Sequence, residues 1–127
     1  MTEITLTLPY PPSINNYYGY VRGRVYIKKP GKVYRRAVWA YVKKEGFPML
    51  HGPLELMQQI YPPDRKRRDI DNINKCLLDA LQHADIMADD SQIKTMHQYM
   101  REPVKGGRVI VTISAQTPLI TDEQQET

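Results

Sequence analysis

Asp64-Arg65-Lys66-Arg67-Arg68-Asp69 is an unbroken run of charged residues near the middle of the chain, preceded by Pro62-Pro63 and followed by Ile70-Asp71-Asn72-Ile73-Asn74-Lys75. A fold does not bury such a run, because every charge would need its own partner and hydrogen bonds inside. The double proline stops whatever regular element comes before it. The run is therefore an exposed connection, and ordered structure has to be built on either side of it. Its chemistry is equally informative. The cations Arg65, Lys66, Arg67 and Arg68 suit a phosphate backbone. The Asp69-x-Asp71 pair suits a hard divalent metal. A second acidic pair, Asp89-Asp90, follows the next apolar stretch and can complete such a site. Together these features point to a protein that holds nucleic acid and cuts it.

Alternation and periodicity set the elements around the run. Ile4, Leu6 and Leu8 alternate with threonines and predict a first strand. Tyr17 to Ile27 alternates around Arg22-Gly23 and predicts a short hairpin. Pro30-Gly31 opens a helix expected to reach Glu45, with Gly46 as its stop. Leu54 to Tyr61 predicts a long strand. Ile73, Cys76, Leu77, Ala80, Leu81 and Ala84 recur at helical spacing, so a second helix is expected from Ile70 to about Ala84. Ile93 to Tyr99 and Val109 to Ile113 predict two last strands, with Gly106-Gly107 as a turn. The expected class is α+β: a single small domain over residues 1–115, a mixed sheet with two helices packed on it, and a polar, frayed tail over 116–127.

Size and composition agree with one domain. The chain has 127 residues, 41% of them hydrophobic and 25% charged, the ordinary balance of a globular protein. Its single cysteine, Cys76, excludes an intrachain disulfide and falls on the apolar stripe of the second helix. No apolar run is long enough to span a bilayer, and Met1-Thr2-Glu3-Ile4 lacks the basic start and apolar core of a secretory signal. A cytoplasmic protein with no membrane partner and no organic cofactor is expected. The net charge of +4 is modest; its distribution says more. Basic residues cluster from Arg22 to Lys44, including Lys28 and Lys29, and again from Arg65 to Arg68, the footprint of a nucleic-acid surface.

On a helical wheel Asp71, Lys75 and Asp79 lie opposite the apolar stripe, and Asp69 sits at or just before the helix start. Asp69, Asp71 and Lys75 can then share one solvent-filled site. The partial positive charge of the helix end works against a cation there, so Asp69 and Asp71 alone are too few ligands. Asp89-Asp90 is expected to be brought close by a neighbouring strand. Each residue also has an ordinary reading. Asp69 is equally an N-cap, Asp71 with Lys75 an i, i+4 surface pair, Asp89-Asp90 a solvated turn, and Arg65 to Arg68 a solvated loop. Elsewhere, His51, His83 and His97 show no zinc spacing. Gly106-Gly107 belongs to no phosphate-binding fingerprint. Trp39, in the first helix, reads as a packing residue rather than a base-stacking one. Leu78, off the main apolar stripe, reads as a subunit contact or as a rim position of the core.

At these residues the chain resembles the RusA family of Holliday-junction resolvases. The likeness rests on Leu8-Pro9-Tyr10-Pro11-Pro12-Ser13 with Asn15-Asn16, on Pro63 to Asn72 with Lys75 in step, on Asp89-Asp90, and on Gly106-Gly107-Arg108. It implies a small homodimeric, magnesium-dependent endonuclease that places paired nicks across four-way junction DNA, of a kind often found in prophages. It further implies that Asp69, Asp71 and Asp90 are the metal-binding catalytic carboxylates, with Lys75 the accompanying lysine and Asp89 a weaker ligand. Arg68 and its basic neighbours would hold the DNA. One departure is Ala84-Asp85-Ile86-Met87-Ala88 ahead of Asp89, where the family pattern has a glycine and a bulky aromatic residue. Two other readings stand beside this one: a non-catalytic nucleic-acid-binding protein on the same scaffold, and a metal-dependent nuclease of linear DNA or RNA.

Overall fold

Alternation of buried and exposed residues builds the sheet. In the computed structural model, which describes residues 2–115, strand β1 (Glu3–Pro9) turns Ile4, Leu6 and Leu8 inward. The tail expected from residue 116 lies outside the described residues. After β1 come a one-turn helix α1 (Ile14–Tyr17), the hairpin β2 (Tyr18–Val21) and β3 (Arg24–Ile27), and the long helix α2 (Lys29–Glu45). Strand β4 (Leu54–Tyr61), helix α3 (Asn74–His83), a 3-10 turn (Asp90–Gln92), β5 (Ile93–Met100) and β6 (Arg108–Ala115) complete the domain. The α+β class with a mixed sheet is as expected. Helix α1 stands between the expected first strand and hairpin and takes Tyr17 from the latter, and α3 begins later than its apolar stripe implies.

The four-stranded sheet has the order β1-β6-β4-β5. Strand β6 is antiparallel to both β1 and β4, whereas β4 and β5 run parallel. A parallel pair needs a crossover, and α3 supplies it. The inward faces of β1, β4 and β6 bring Leu6, Leu8, Leu54, Leu56, Ile60, Val109, Val111 and Ile113 into one core with Cys76, Leu77, Ala80 and Leu81 of α3. Leu78 sits half-buried at its rim.

Helix α2 guards the edge of β1 that β6 leaves unpaired. Thr7 N–H donates to the Tyr41 hydroxyl at 3.1 Å, and the Tyr34 hydroxyl donates to Pro9 C=O at 2.7 Å. Both tyrosines thus satisfy backbone groups that would otherwise offer a template for another strand. Gly31 lets α2 come close to α1, since a Cβ there would lie 2.7 Å from the Tyr17 carbonyl oxygen.

The three helices meet at one ion pair. Arg35 of α2 clasps Asp79 of α3 with both ends of its guanidinium, Nε to Oδ2 at 2.7 Å and Nη2 to Oδ1 at 3.0 Å. The buried Tyr17 of α1 donates its hydroxyl to the same carboxylate. Desolvation pushes the Asp79 carboxyl upward, but the hydrogen bonds from Arg35 and Tyr17 outweigh it and hold the group below the usual carboxylate range. Asp79 sits on the face of α3 that the wheel assigned to solvent, yet it is a structural anchor.

A group depressed in the folded state stabilises fully above its unfolded value, about 3.9 for Asp, and loses that contribution as pH falls through the folded value. Asp79→Asn should therefore cost about 1–2 kcal/mol near neutral pH, a figure discounted for the partial exposure of the pair. The gap to the parent should close in acid, as pH falls through the lowered folded value of Asp79. Urea melts of both proteins at neutral and acid pH check this; an equal gap at both would remove Asp79 as a stabilising anion.

Candidate active site

The acidic segment in front of α3 is not helical because a buried amide network takes its backbone. Gln58 of β4 points inward between Leu56 and Ile60 and is completely buried. Its Nε2 donates to Asn74 Oδ1 at 3.0 Å. Gln98 of the neighbouring β5 donates its Nε2 hydrogens towards the same Asn74 oxygen at 2.9 Å, to Gln58 Oε1 at 3.2 Å and to Ile70 C=O at 3.1 Å. In a continuous helix Ile70 C=O would accept from Asn74 N–H. Here Asn74 N–H goes to Asp71 C=O at 3.1 Å, and Asn72 N–H to Asp69 C=O at 3.0 Å. Residues 69–73 consequently form tight turns, and the helix expected from Ile70 starts at Asn74.

Asp69 and Asp71 stand on these turns, both exposed, with no side-chain hydrogen bond or ion pair among the described residues. Asp69 does not cap α3, whose N-cap position is Ile73. Nor do Asp71 and Lys75 form a surface pair. The Lys75 ammonium lies 5.0 Å from the centre of the Tyr18 ring, a cation–π contact. Burial, reinforced by nearby Asp79, raises the Tyr18 hydroxyl to about 12, so that ring stays neutral.

The basic run divides into anchored and free members. Arg68 Nη1 donates to Asp64 Oδ1 at 2.7 Å and to the carbonyls of Asp64 and Lys66, both at 3.2 Å. Its guanidinium carbon sits 5.8 Å from the Tyr10 ring centre. The Arg68 hydrogen bond, with a second from Lys66 N–H, keeps the Asp64 carboxyl below its usual range. Arg68 is thus the staple that shapes the loop. Arg65 makes a long, exposed contact with Glu102 at 3.4 Å. Lys66 and Arg67 project into solvent without an ion-pair partner among the described residues. Of the two earlier lysines, Lys28 donates to Asn15 C=O at 2.8 Å, while Lys29 is exposed at the start of α2.

Asp89 and Asp90 are not alike. The Asp89 carboxylate caps the 3-10 turn, accepting from Ser91 N–H at 3.0 Å, and this hydrogen bond lowers its pKa. Gln92 closes the capping box by accepting from Asp89 N–H at 3.1 Å. Asp90 N–H donates to Gln82 Oε1 at 3.1 Å, and its carboxylate is exposed and unengaged among the described residues.

These carboxylates do not converge within one chain. Asp69 and Asp71 lie before the first turn of α3, and Gln82 holds Asp90 near its last turn. A helix of ten residues is about 15 Å long. The parallel register agrees: Gln98 near the acidic turn pairs with Gln58, whereas Ile93 beside Asp90 pairs with Leu54 at the far end of β4. Among the described residues, no three His, Cys, Asp or Glu side chains are close enough to hold a metal ion.

Sequence reasoning missed the Gln58–Asn74–Gln98 network and the Asp79 anchor. The alternation in Leu54 to Tyr61 already turns Gln58 inward, and that was the available signal. Trp39 is corrected in the other direction: it is 44% exposed on α2 and packs into no core. Cys76 is buried as expected, with its thiol raised to about 11 by desolvation.

Residues 9–114 match the family model described as endodeoxyribonuclease RusA. The chain is 37% identical over 115 residues to the crossover junction endodeoxyribonuclease RusA of Shigella sonnei strain Ss046, a match spanning 90% of this chain and 96% of that one. The protein of that name from Escherichia coli strain K12 is 36% identical over the same shares. The one from Enterobacteria phage 82 is 37% identical, again over 90% and 96%. A likeness of this extent, covering the acidic turns, the basic run and the Asp89-Asp90 pair alike, places the chain in the RusA family of endodeoxyribonucleases.

Proposed function

We propose that this chain is a magnesium-dependent endonuclease that resolves four-way DNA junctions by paired nicks, acting as a two-fold homodimer in cytoplasmic DNA recombination and repair. The observation that carries the reading is a contrast among neighbouring charges. Asp64, Arg68, Asp79 and Asp89 are all engaged in structural hydrogen bonds. Asp69, Asp71 and Asp90 have none through their side chains among the described residues. Exposed carboxylates on turns pinned by a buried network are hard oxygen donors available to a cation, so the residues present fit magnesium. When bound, the cation would supply a water of lowered pKa and charge neutralisation at the scissile phosphate.

The protein's own residues do the rest. Lys66 and Arg67 hold the backbone beside the acidic turn. Lys75, steadied on the Tyr18 ring, offers its ammonium to a phosphate oxygen on the Asp71 side. The dimer is supported by the spacing of the carboxylates along α3, since Asp90 is a helix length from Asp69 and Asp71. A second copy related by a two-fold axis can bring its Asp90 to the first copy's acidic turn, and the reverse, giving two equivalent sites. A four-way junction presents symmetric strands to such a pair.

Cleavage assays on variants, mixed dimers and other substrates test this. Asp71→Asn and Asp90→Asn should each lower magnesium-dependent junction cleavage by at least about two orders of magnitude, while both proteins still bind. Asp89→Asn should retain measurable activity. Co-refolding Asp71→Asn with Asp90→Asn should restore nicking, because mixed dimers regain one complete site. Failure of the mixture, with dimers confirmed by sedimentation, would place each site within one chain. Cleavage of linear duplex or RNA at the junction rate would defeat the junction reading.

Replacing both Lys66 and Arg67 by alanine should make the plot of log K against log[salt] shallower by about two, one for each lost phosphate contact. Arg68→Ala should act mainly through loop stability. Filter binding across a salt series checks the first effect, and an unchanged slope would separate the basic run from the DNA.

A further inference from the structure

Helix α2 carries a second charged surface that the acidic turn does not account for. Lys32, Arg36, Trp39 and Lys43 follow the spacing i, i+4, i+7, i+11, so they form one stripe along the helix. The stripe lies opposite Tyr34, Val38 and Val42, which face the core. Within α2 there are six cations, Lys29, Lys32, Arg35, Arg36, Lys43 and Lys44, against the single acid Glu45. Arg35 is spent on Asp79, and Lys43 lies 3.6 Å from Asp85 and 6.0 Å from the Trp39 ring centre. Lys32 and Arg36 precede Trp39 on the stripe and have no ion-pair partner among the described residues.

The stripe also leads somewhere. Lys32, Arg35, Arg36, Trp39 and His83 line an open hollow of about 510 Å³. A second hollow, of about 260 Å³, adjoins it at Arg35 and His83 and is bounded by Gln82 and Ala88. Gln82 is the residue that accepts from Asp90 N–H. The two hollows therefore run from a basic, aromatic helix face to the end of α3, where Gln82 holds the backbone of Asp90.

We propose that this face of α2 is a DNA-binding surface, distinct from the Arg65–Arg68 run. Lys32 and Arg36 clamp the backbone of one arm, and the Trp39 ring stacks on a base exposed at the branch point. The chemistry is complementary: cations at helical spacing match phosphates, and an indole one turn beyond them offers a flat apolar face that any unstacked base can cover. Intact duplex has no such base to offer, so Trp39 favours branched over linear DNA. This inference rests on the nuclease reading above and names the surface that feeds Asp90.

Trp39 is the only tryptophan in the chain, so its emission reports directly on this face. The full chain is titrated in metal-free buffer with an immobile four-way junction and with linear duplex, binding being followed independently by anisotropy of labelled DNA. Trp39 emission should be quenched on junction binding. Lys32→Ala with Arg36→Ala should make the salt slope shallower by about two, while Lys44→Ala, off the stripe, should leave it unchanged. Trp39→Ala should lower junction affinity roughly tenfold and duplex affinity little, with Trp39→Phe restoring most of it. Junction binding and cleavage with unaltered Trp39 emission and an unchanged slope in the double variant would overturn the proposal and leave the nuclease reading standing. Quenching and a reduced slope in a protein that cuts no junction would overturn that reading and leave this surface standing. A dimer that falls to monomers on Trp39→Ala would make the tryptophan a subunit contact and overturn its stacking role. Thermal melts confirm folding; the helix-surface lysine and arginine variants keep the test decisive should Trp39→Ala fail to fold.

Discussion

A buried glutamine sets the shape of everything that follows β4. An amide in an apolar core without partners costs on the order of 1–3 kcal/mol, so Gln58 must be met. Asn74 and Gln98 meet it, and in doing so they fasten the end of one connection to the middle of the sheet. The same network withdraws Ile70 C=O from the helix that would otherwise include it. Two aspartates that helical winding would have turned roughly 200° apart about an axis are held instead on consecutive tight turns. Core polarity and surface chemistry are linked here by a single side chain.

The distribution of charge partners then sorts the surface by task. Asp79 draws three helices together, Asp64 and Arg68 fold a loop back on itself, and Asp89 ends a turn. None of these groups is available for other chemistry. Among the described residues, the charges left without such a partner include carboxylates at the two ends of α3, a pair of cations on the loop, and Lys32 and Arg36 on α2. Carboxylates left in water cost the fold little, since they keep their hydration, but they gain nothing for it either. Their use lies in what they can hold.

Much of this organisation is legible in the sequence. Alternation finds β1, β4 and β6, and Gly46 ends α2 where its position says it should. The parallel pairing of β5 with β4 is not visible locally, because period-two patterning carries no direction. The α3 boundary fails for a definite reason: the apolar stripe starts at Ile73, and nothing in the local pattern shows that Gln98, 28 residues beyond Ile70, competes for that carbonyl. Asp79 is misread because a wheel assigns faces relative to one packing surface, and α3 has a second one against α2. Of the candidate site, the residue types and the inequality of Asp89 and Asp90 are readable in advance. The length of helix between the two acidic groups is not, since motif order along the chain contains no distance.

That length gives α3 the character of a ruler. Inserting a single residue would advance its far end by about 1.5 Å and rotate it by about 100°. The apolar stripe on Cys76, Leu77, Ala80 and Leu81 could be re-registered by compensating changes, as core positions often can. In the dimer proposed above the bearing of Asp90 relative to Asp69 and Asp71 could not, because there it is measured against a partner rather than against the core. Helix length in this fold should therefore be among its least negotiable dimensions, with variation in size absorbed by the β2–β3 hairpin and by the connection between β5 and β6.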